Sequence, residues 1–289
     1  MRLRERYVFD WNRILREDGW HIEYSVTDVC NRSCAACSHL APLAKRENFV
    51  GVAEFARTVK ILASRIPDAH TFWLTGGEPT LHPHFLRLLA LACEYFKRSF
   101  VGIYSNGKTL SSHAEDEEFW RFMREKGIVW AITPYERGAA YFEELFVRHG
   151  CLNGLAIVQG GKFFTNLTNY SRGEPVGHDK YEKCGWERCK INVRGGRIYN
   201  CAASEFADLF NGYFGEKLHL SPADSLCIDE HLTREKIEEF KDAMPFCAQC
   251  APARRGRRWF LNEPSKRLAK EWAEPELLFG LIDEKYKKE

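Results

Sequence analysis

The sequence predicts an α/β fold: a parallel sheet of repeated strand–helix units, followed by a small cysteine-rich module. Three observations predict it. Apolar strand-like runs alternate with helical patterns from about residue 22 to 160, polar or glycine-containing turns separate them, and six of the eleven cysteines follow after the alternation ends. Repeated βα units pair their strands in parallel through right-handed crossovers, and ligand sites then collect at the C-terminal ends of the strands.

The elements follow in order. IEYSVTD (22–28) is rich in β-branched and aromatic residues and reads as a strand; 52–66 repeats apolar residues three and four apart and reads as a helix. The same reasoning gives a strand at TFWLTG (71–76), a helix over 84–97, a strand at FVGIYSN (100–106) and a helix over 116–126. A strand at IVWAIT (128–133) and a helix over 138–149 complete the series. Beyond residue 160 the pattern gives way to GGKFFTNLTNYSRGEPVGHD, and KINVRGGRIYNC (190–201) then reads as a hairpin around Gly195–Gly196. The expected division is 1–170 for the α/β core and 171–289 for the module, whose last part, PSKRLAKEWAEPELLFGLIDEKYKKE, reads as a helix with a charged end.

Composition narrows the function. With 42 Lys and Arg against 40 Asp and Glu, the net charge of +2 supplies no global field for nucleic acid or an anionic membrane. No apolar run reaches the roughly 20 residues that span a bilayer, and MRLRERYVFDWNR lacks the apolar stretch of a secretory signal, so a cytoplasmic protein is expected. An odd, clustered set of cysteines in a reducing compartment points to metal ligation or redox chemistry rather than disulfides.

Cys30, Cys34 and Cys37 stand in a C-x3-C-x2-C spacing directly after the first strand. Three thiolates on one tight loop suit three corners of an iron–sulfur cubane. Zinc is the alternative, with the nearby His39 as a fourth ligand. A three-Cys cluster leaves one iron open to bind a small molecule and pass it an electron. Cys93 and Cys151 lie in or beside helical patterns and read as buried small hydrophobes; Cys227 reads as packed too, with hydrogen-atom donation as its alternative.

CNRSCAAC after the first strand and TGGEP after the second together resemble the radical S-adenosylmethionine (SAM) superfamily over roughly residues 20–160. The resemblance implies a partial (β/α)6 TIM-like barrel in which Cys30, Cys34 and Cys37 hold a [4Fe–4S] cluster whose fourth iron is chelated by SAM. Gly76, Gly77, Glu78 and Pro79 match the motif that contacts the SAM amino group, and the chemistry agrees: glycines permit close backbone approach and a carboxylate accepts from an ammonium. Ser105 and Asn106 match positions for the SAM ribose and carboxylate, with a plain turn as their alternative, and Thr133 ends the fourth strand. Ala36 stands where the family commonly has an aromatic residue.

In the C-terminal part, Cys184, Cys189, Cys201, Cys247 and Cys250 surround the hairpin and a distant C-x2-C. Gly196 to Cys201 matches the G-x4-C element of the SPASM or twitch extension, which implies a second, auxiliary [4Fe–4S] cluster; Cys184 is the preferred first ligand, and Cys189 also precedes the hairpin. A zinc ribbon is the alternative here. Arg254, Arg255, Arg257 and Arg258 read either as an anion site or as a solvated run.

The resemblance implies that SAM is cleaved reductively to a 5′-deoxyadenosyl radical that abstracts hydrogen from a substrate carbon, fed by an external donor such as flavodoxin or ferredoxin. The cysteine separations look like those of the aminocyclitol dehydrogenases, and CSHLAPLA is similar to radical SAM proteins encoded with polysaccharide genes. A small polyol or sugar-like substrate, oxidised or epimerised, is therefore expected. Peptide modification by the same chemistry is the second reading and a zinc-stapled, non-catalytic binding protein the third. No catalytic residue is assigned; Tyr135, Glu136 and Arg137 are the nearest candidates for a base.

Overall fold

The computed structural model describes residues 19–45, 48–158, 162–164, 190–215, 218, 220–243, 246, 256–258 and 264–272. Its first half follows the expected alternation, β1 (His21–Thr27), α1 (Val52–Arg65), β2 (Thr71–Gly76), α2 (Phe85–Tyr95), β3 (Phe100–Ser105), α3 (Glu117–Lys126), β4 (Val129–Ile132) and α4 (Ala139–Arg148), and adds a short strand that the sequence did not predict, β5 (Leu155–Ile157). Local chemistry sets the ends. The Asp116 carboxylate caps α3 by accepting from Phe119 N–H at 3.1 Å, and Gly127 ends that helix in the left-handed region at φ 61°.

After a short β6 (Lys162–Phe164), the hairpin forms as β7 (Lys190–Arg194) and β8 (Arg197–Tyr199), turned by Gly195 and Gly196, both at positive φ. It joins the main sheet. The strand order is β5-β4-β3-β2-β1-β7-β8, ending on β9 (Ser225–Cys227). The six strands from β5 to β7 run parallel, and β8 and β9 are antiparallel. This mostly parallel sheet with helical crossovers is the partial TIM-like barrel that the sequence predicts. Helices α5 (Ala202–Glu205), α6 (Ala207–Phe214) and α7 (Arg234–Ala243) follow, and β10 (Gly256–Arg258) pairs antiparallel with β6.

The strands alternate. Ile22, Tyr24 and Val26 of β1 belong to the main apolar core with Phe55 and Leu62 of α1, and Tyr24 stacks on Phe55 at 4.8 Å. Glu23, Ser25 and Thr27 take the other face and are also buried. A second apolar cluster joins Leu40 and Leu43 of the cysteine loop to Phe206, Phe210, Phe246 and Trp272. Among the described residues no helix is long and apolar enough to cross a membrane.

Two expectations are corrected. Residues 264–268 are not helical: Pro264 bridges to Cys34 and Arg267 takes a left-handed φ of 54°, and among the described residues of this stretch only Ala269–Glu271 form a short 3-10 turn, residues 273–289 lying outside the described residues. Cys227 is not packed but exposed, because it lies at the end of the outermost strand of the sheet.

Candidate functional site

The first cysteine loop leaves β1 at a register shift against β2 between Ser25 and Thr27. Beyond the strands the two chains stay hydrogen-bonded: Gly77 N–H donates to Thr27 O and Glu78 N–H to Val29 O, both at 2.7 Å. That contact requires glycine. A Cβ at Gly77 would lie 2.1 Å from Val29 O, and one at Gly76, whose φ is +121°, would lie 2.3 Å from Thr27 O. The glycine pair thus seats the second loop directly against the segment that carries Cys30.

Glu78 is almost wholly buried at 1% exposure. Its Oε1 accepts from Ser105 Oγ (2.9 Å), Thr80 Oγ1 (2.6 Å) and Thr80 N–H (3.3 Å), while Oε2, among the described residues, accepts only from Asn106 N–H (2.8 Å). Burial raises its pKa, against the pull of those donors. A carboxylate oxygen accepts two hydrogen bonds, so Oε2 keeps room for one more donor. Asn106 reaches onward: its Nδ2 donates to Asn31 Oδ1 at 2.8 Å and lies 3.7 Å from Cys30 Sγ. Pro79, itself buried, opens a 3-10 turn, and Thr133 joins through its N–H to Ser105 O at 3.0 Å. The ends of β1, β2, β3 and β4 are therefore brought together.

Burial pushes the Cys30 thiol up to about 12 and the Cys37 thiol up to about 11, and the neighbouring cysteines add to both shifts. Such thiols stay protonated until a metal displaces the proton. Three soft sulfur donors on one short loop suit iron–sulfur ligation. Among the described residues no three His, Cys, Asp or Glu side chains converge on a single metal ion. His39 is engaged elsewhere: its Nε2 lies 3.1 Å from Thr75 Oγ1 and its ring packs edge-on against Phe206. Tyr135, Glu136 and Arg32 fasten the loop instead of standing as free groups. Arg32 lies 4.3 Å over the Tyr135 ring and pairs with Glu136 at 2.7 Å, and the Tyr135 hydroxyl lies beside Cys34. Arg137 packs over Tyr141.

Cys201 N-caps α5, its backbone N–H 3.2 Å from Ser204 Oγ. Cys184, Cys189, Cys247 and Cys250 lie outside the described residues, as do Arg254 and Arg255.

Sequence reasoning missed the polar inner face of the sheet. Glu23 pairs with Lys190 Nζ at 2.8 Å; burial alone would raise the Glu23 pKa, and the ammonium outweighs it, leaving the carboxyl below its usual value. Arg194 holds Asp28 through two bonds of 2.9 and 2.8 Å and Asp208 through a third. Asn192 Nδ2 donates to Glu205 Oε2 at 3.0 Å. The available signal was the alternation of polar residues at 23, 25, 27 and at 190, 192, 194 in strands whose other face is core.

Burial raises the Glu205 pKa from near 4.5 to about 8, opposed by the nearby Ser25 hydroxyl, by the hydrogen bond from Asn192 and by the Arg194 charge, with Glu23 adding to the rise. A raised folded-state pKa stabilises the fold fully below about pH 4.5, and that contribution is lost as pH climbs through about 8. Thermal stability should therefore fall across this window in the wild type and stay flatter in Glu205→Gln. The variant should gain a few kcal/mol, on the order of 1.4 per pKa unit, above the window. Parallel wild-type and variant profiles would mean that Glu205 ionises without penalty.

Residues 24–136 match the family described as the radical SAM superfamily. This segment is a radical SAM domain. A radical SAM domain implies a [4Fe–4S] cluster and SAM. GTP 3′,8-cyclase of Mannheimia succiniciproducens is 34% identical over 106 residues, which are 35% of this chain and 29% of that protein. GTP 3′,8-cyclase of Mycobacterium marinum is 32% identical over 95 residues, 32% of this chain and 26% of that protein. The match thus spans less than a third of either relative. A crystal structure of BtrN in complex with AdoMet and 2-DOIA aligns with 83% of this chain and 97% of that one, at 14% identity and a TM-score of 0.48.

Proposed function

We propose that Cys30, Cys34 and Cys37 hold the [4Fe–4S] cluster of this radical SAM domain, and that Gly76, Gly77, Glu78, Pro79, Ser105, Asn106 and Thr133 bind SAM beside it. The observation that carries this reading is the junction of two loops: the glycine pair hydrogen-bonded to the backbone before Cys30, with the Asn106 amide reaching the Cys30 sulfur. Bound together, cluster and SAM supply the electron and the carbon radical that abstract hydrogen from a substrate.

The chain's own residues orient and shield. Ser105 and Asn106 fix the Glu78 carboxylate so that Oε2 is open to the SAM ammonium. Gly76 and Gly77 let backbone stand where side chains would intrude. Trp73 and Tyr104, packed at 4.6 Å on the inner face of β2 and β3, exclude water beneath the site.

The substrate is a small polyol or sugar-like molecule, oxidised or epimerised. The hydrogen-bonding groups of the inner face, Glu23, Lys190, Asn192 and Glu205, support this reading. Cys201, with Cys184 or Cys189 and with Cys247 and Cys250, holds the auxiliary [4Fe–4S] cluster, and residues 171–289 form its module. Electrons come from a flavodoxin or ferredoxin. A second reading, conversion of a nucleotide, is favoured by the name of the Mannheimia succiniciproducens relative. The test is anaerobic iron and sulfide quantitation on reconstituted protein with SAM cleavage assayed alongside. About eight irons, as two [4Fe–4S] clusters require, and 5′-deoxyadenosine formation are expected. Zinc in place of iron would sink the proposal, and turnover of GTP but not of polyols would move it to the second reading.

A further inference from the structure

We infer that residues 264–272 form a strap that clamps the cysteine loop, with Trp272 the positioning residue for Cys37. Three contacts join the two segments. Pro264 makes an isolated antiparallel bridge with Cys34, Ser265 N–H donates to Ser33 O at 2.8 Å, and Trp272 Nε1–H donates to Cys37 O at 2.9 Å. Trp272 is 6% exposed and packs in the same apolar cluster as Leu40 and Leu43, which follow Cys37.

The loop needs such a clamp. Ala36 and Leu40 both stand in the left-handed region, at φ 52° and 50°, and a side chain there costs energy unless the surroundings enforce it. Cys37 lies between them, and its carbonyl takes both the indole N–H and the Leu40 N–H, the latter at 3.0 Å. The strap holds its own shape: Glu271 Oε1 accepts from Lys266 N–H at 2.8 Å and Leu268 N–H at 3.1 Å around the left-handed Arg267. A preshaped segment therefore grips the third cysteine between its two strained neighbours.

This inference rests on the proposal that Cys37 is a cluster ligand. The test compares reconstituted full-length wild type, Trp272→Phe and Ser265→Pro. Trp272→Phe keeps the ring and deletes the N–H; Ser265→Pro deletes the other donor. Both should release iron to an external chelator about tenfold faster than wild type, the effect of one well-made hydrogen bond. They should also broaden the electron paramagnetic resonance signal of the reduced cluster, with thermal unfolding nearly unchanged. Iron release and spectrum identical to wild type in both variants would overturn the strap, as would release that merely follows lowered global stability. Wild type that binds no iron would instead refute the cluster proposal itself.

Discussion

A Cys30→Ala, Cys34→Ala, Cys37→Ala variant is expected to lose about four of about eight irons and all 5′-deoxyadenosine formation, because only this group is proposed to hold the cluster that meets SAM. The fold should survive. None of the three side chains belongs to the apolar core, and the loop keeps its backbone bonds to Gly77 and Glu78 and its strap contacts. The far-ultraviolet circular dichroism should therefore match wild type while iron and activity fall. Retention of all iron would place the metal elsewhere and remove the basis for the proposed site.

Gly77→Ala should be equally severe for a different reason. Its methyl would stand 2.1 Å from Val29 O and 2.4 Å from Val29 C, backbone atoms that no side-chain rotation can clear. The two loops must separate, which breaks the 2.7 Å bonds from Gly77 and Glu78 and pulls the carboxylate from Ser105 and Asn106. Losing several buried hydrogen bonds at once costs roughly 3–5 kcal/mol at about 1 kcal/mol or more each. SAM affinity should drop beyond measurement in equilibrium dialysis even where protein is recovered. Gly51→Ala is the matched control, since a Cβ there meets nothing within 4 Å. Normal SAM binding by Gly77→Ala would mean that the loops do not touch as described.

The strands and helices between residues 21 and 148 were legible because each carries its own periodicity and turn, as with the Asp116 cap and the Gly127 stop. The cysteine loop was legible from its C-x3-C-x2-C spacing, and the glycine pair from its resemblance to the radical SAM motif. What escaped was long-range. Nothing local in KINVR says that β7 lies parallel to β1, since that pairing is decided by which sheet edge remains open. Glu205 gave no sign of burial, because its environment comes from Ser25 and Asn192 on two distant strands. The C-terminal stretch read as helix from its propensities, and the contact with the cysteine loop overrode them at Pro264 and Arg267.

The bond from Trp272 to Cys37 joins residues 235 apart in sequence. At a synthesis rate of about 5–20 residues per second, Cys37 would emerge from the ribosome roughly 10–50 s before Trp272. For that interval the nascent cysteine loop has β1, joined by β2 once residues 71–76 are made, but no latch. The order of translation thus leaves a period in which the loop stands open, and residues 264–272, made later, then shut it.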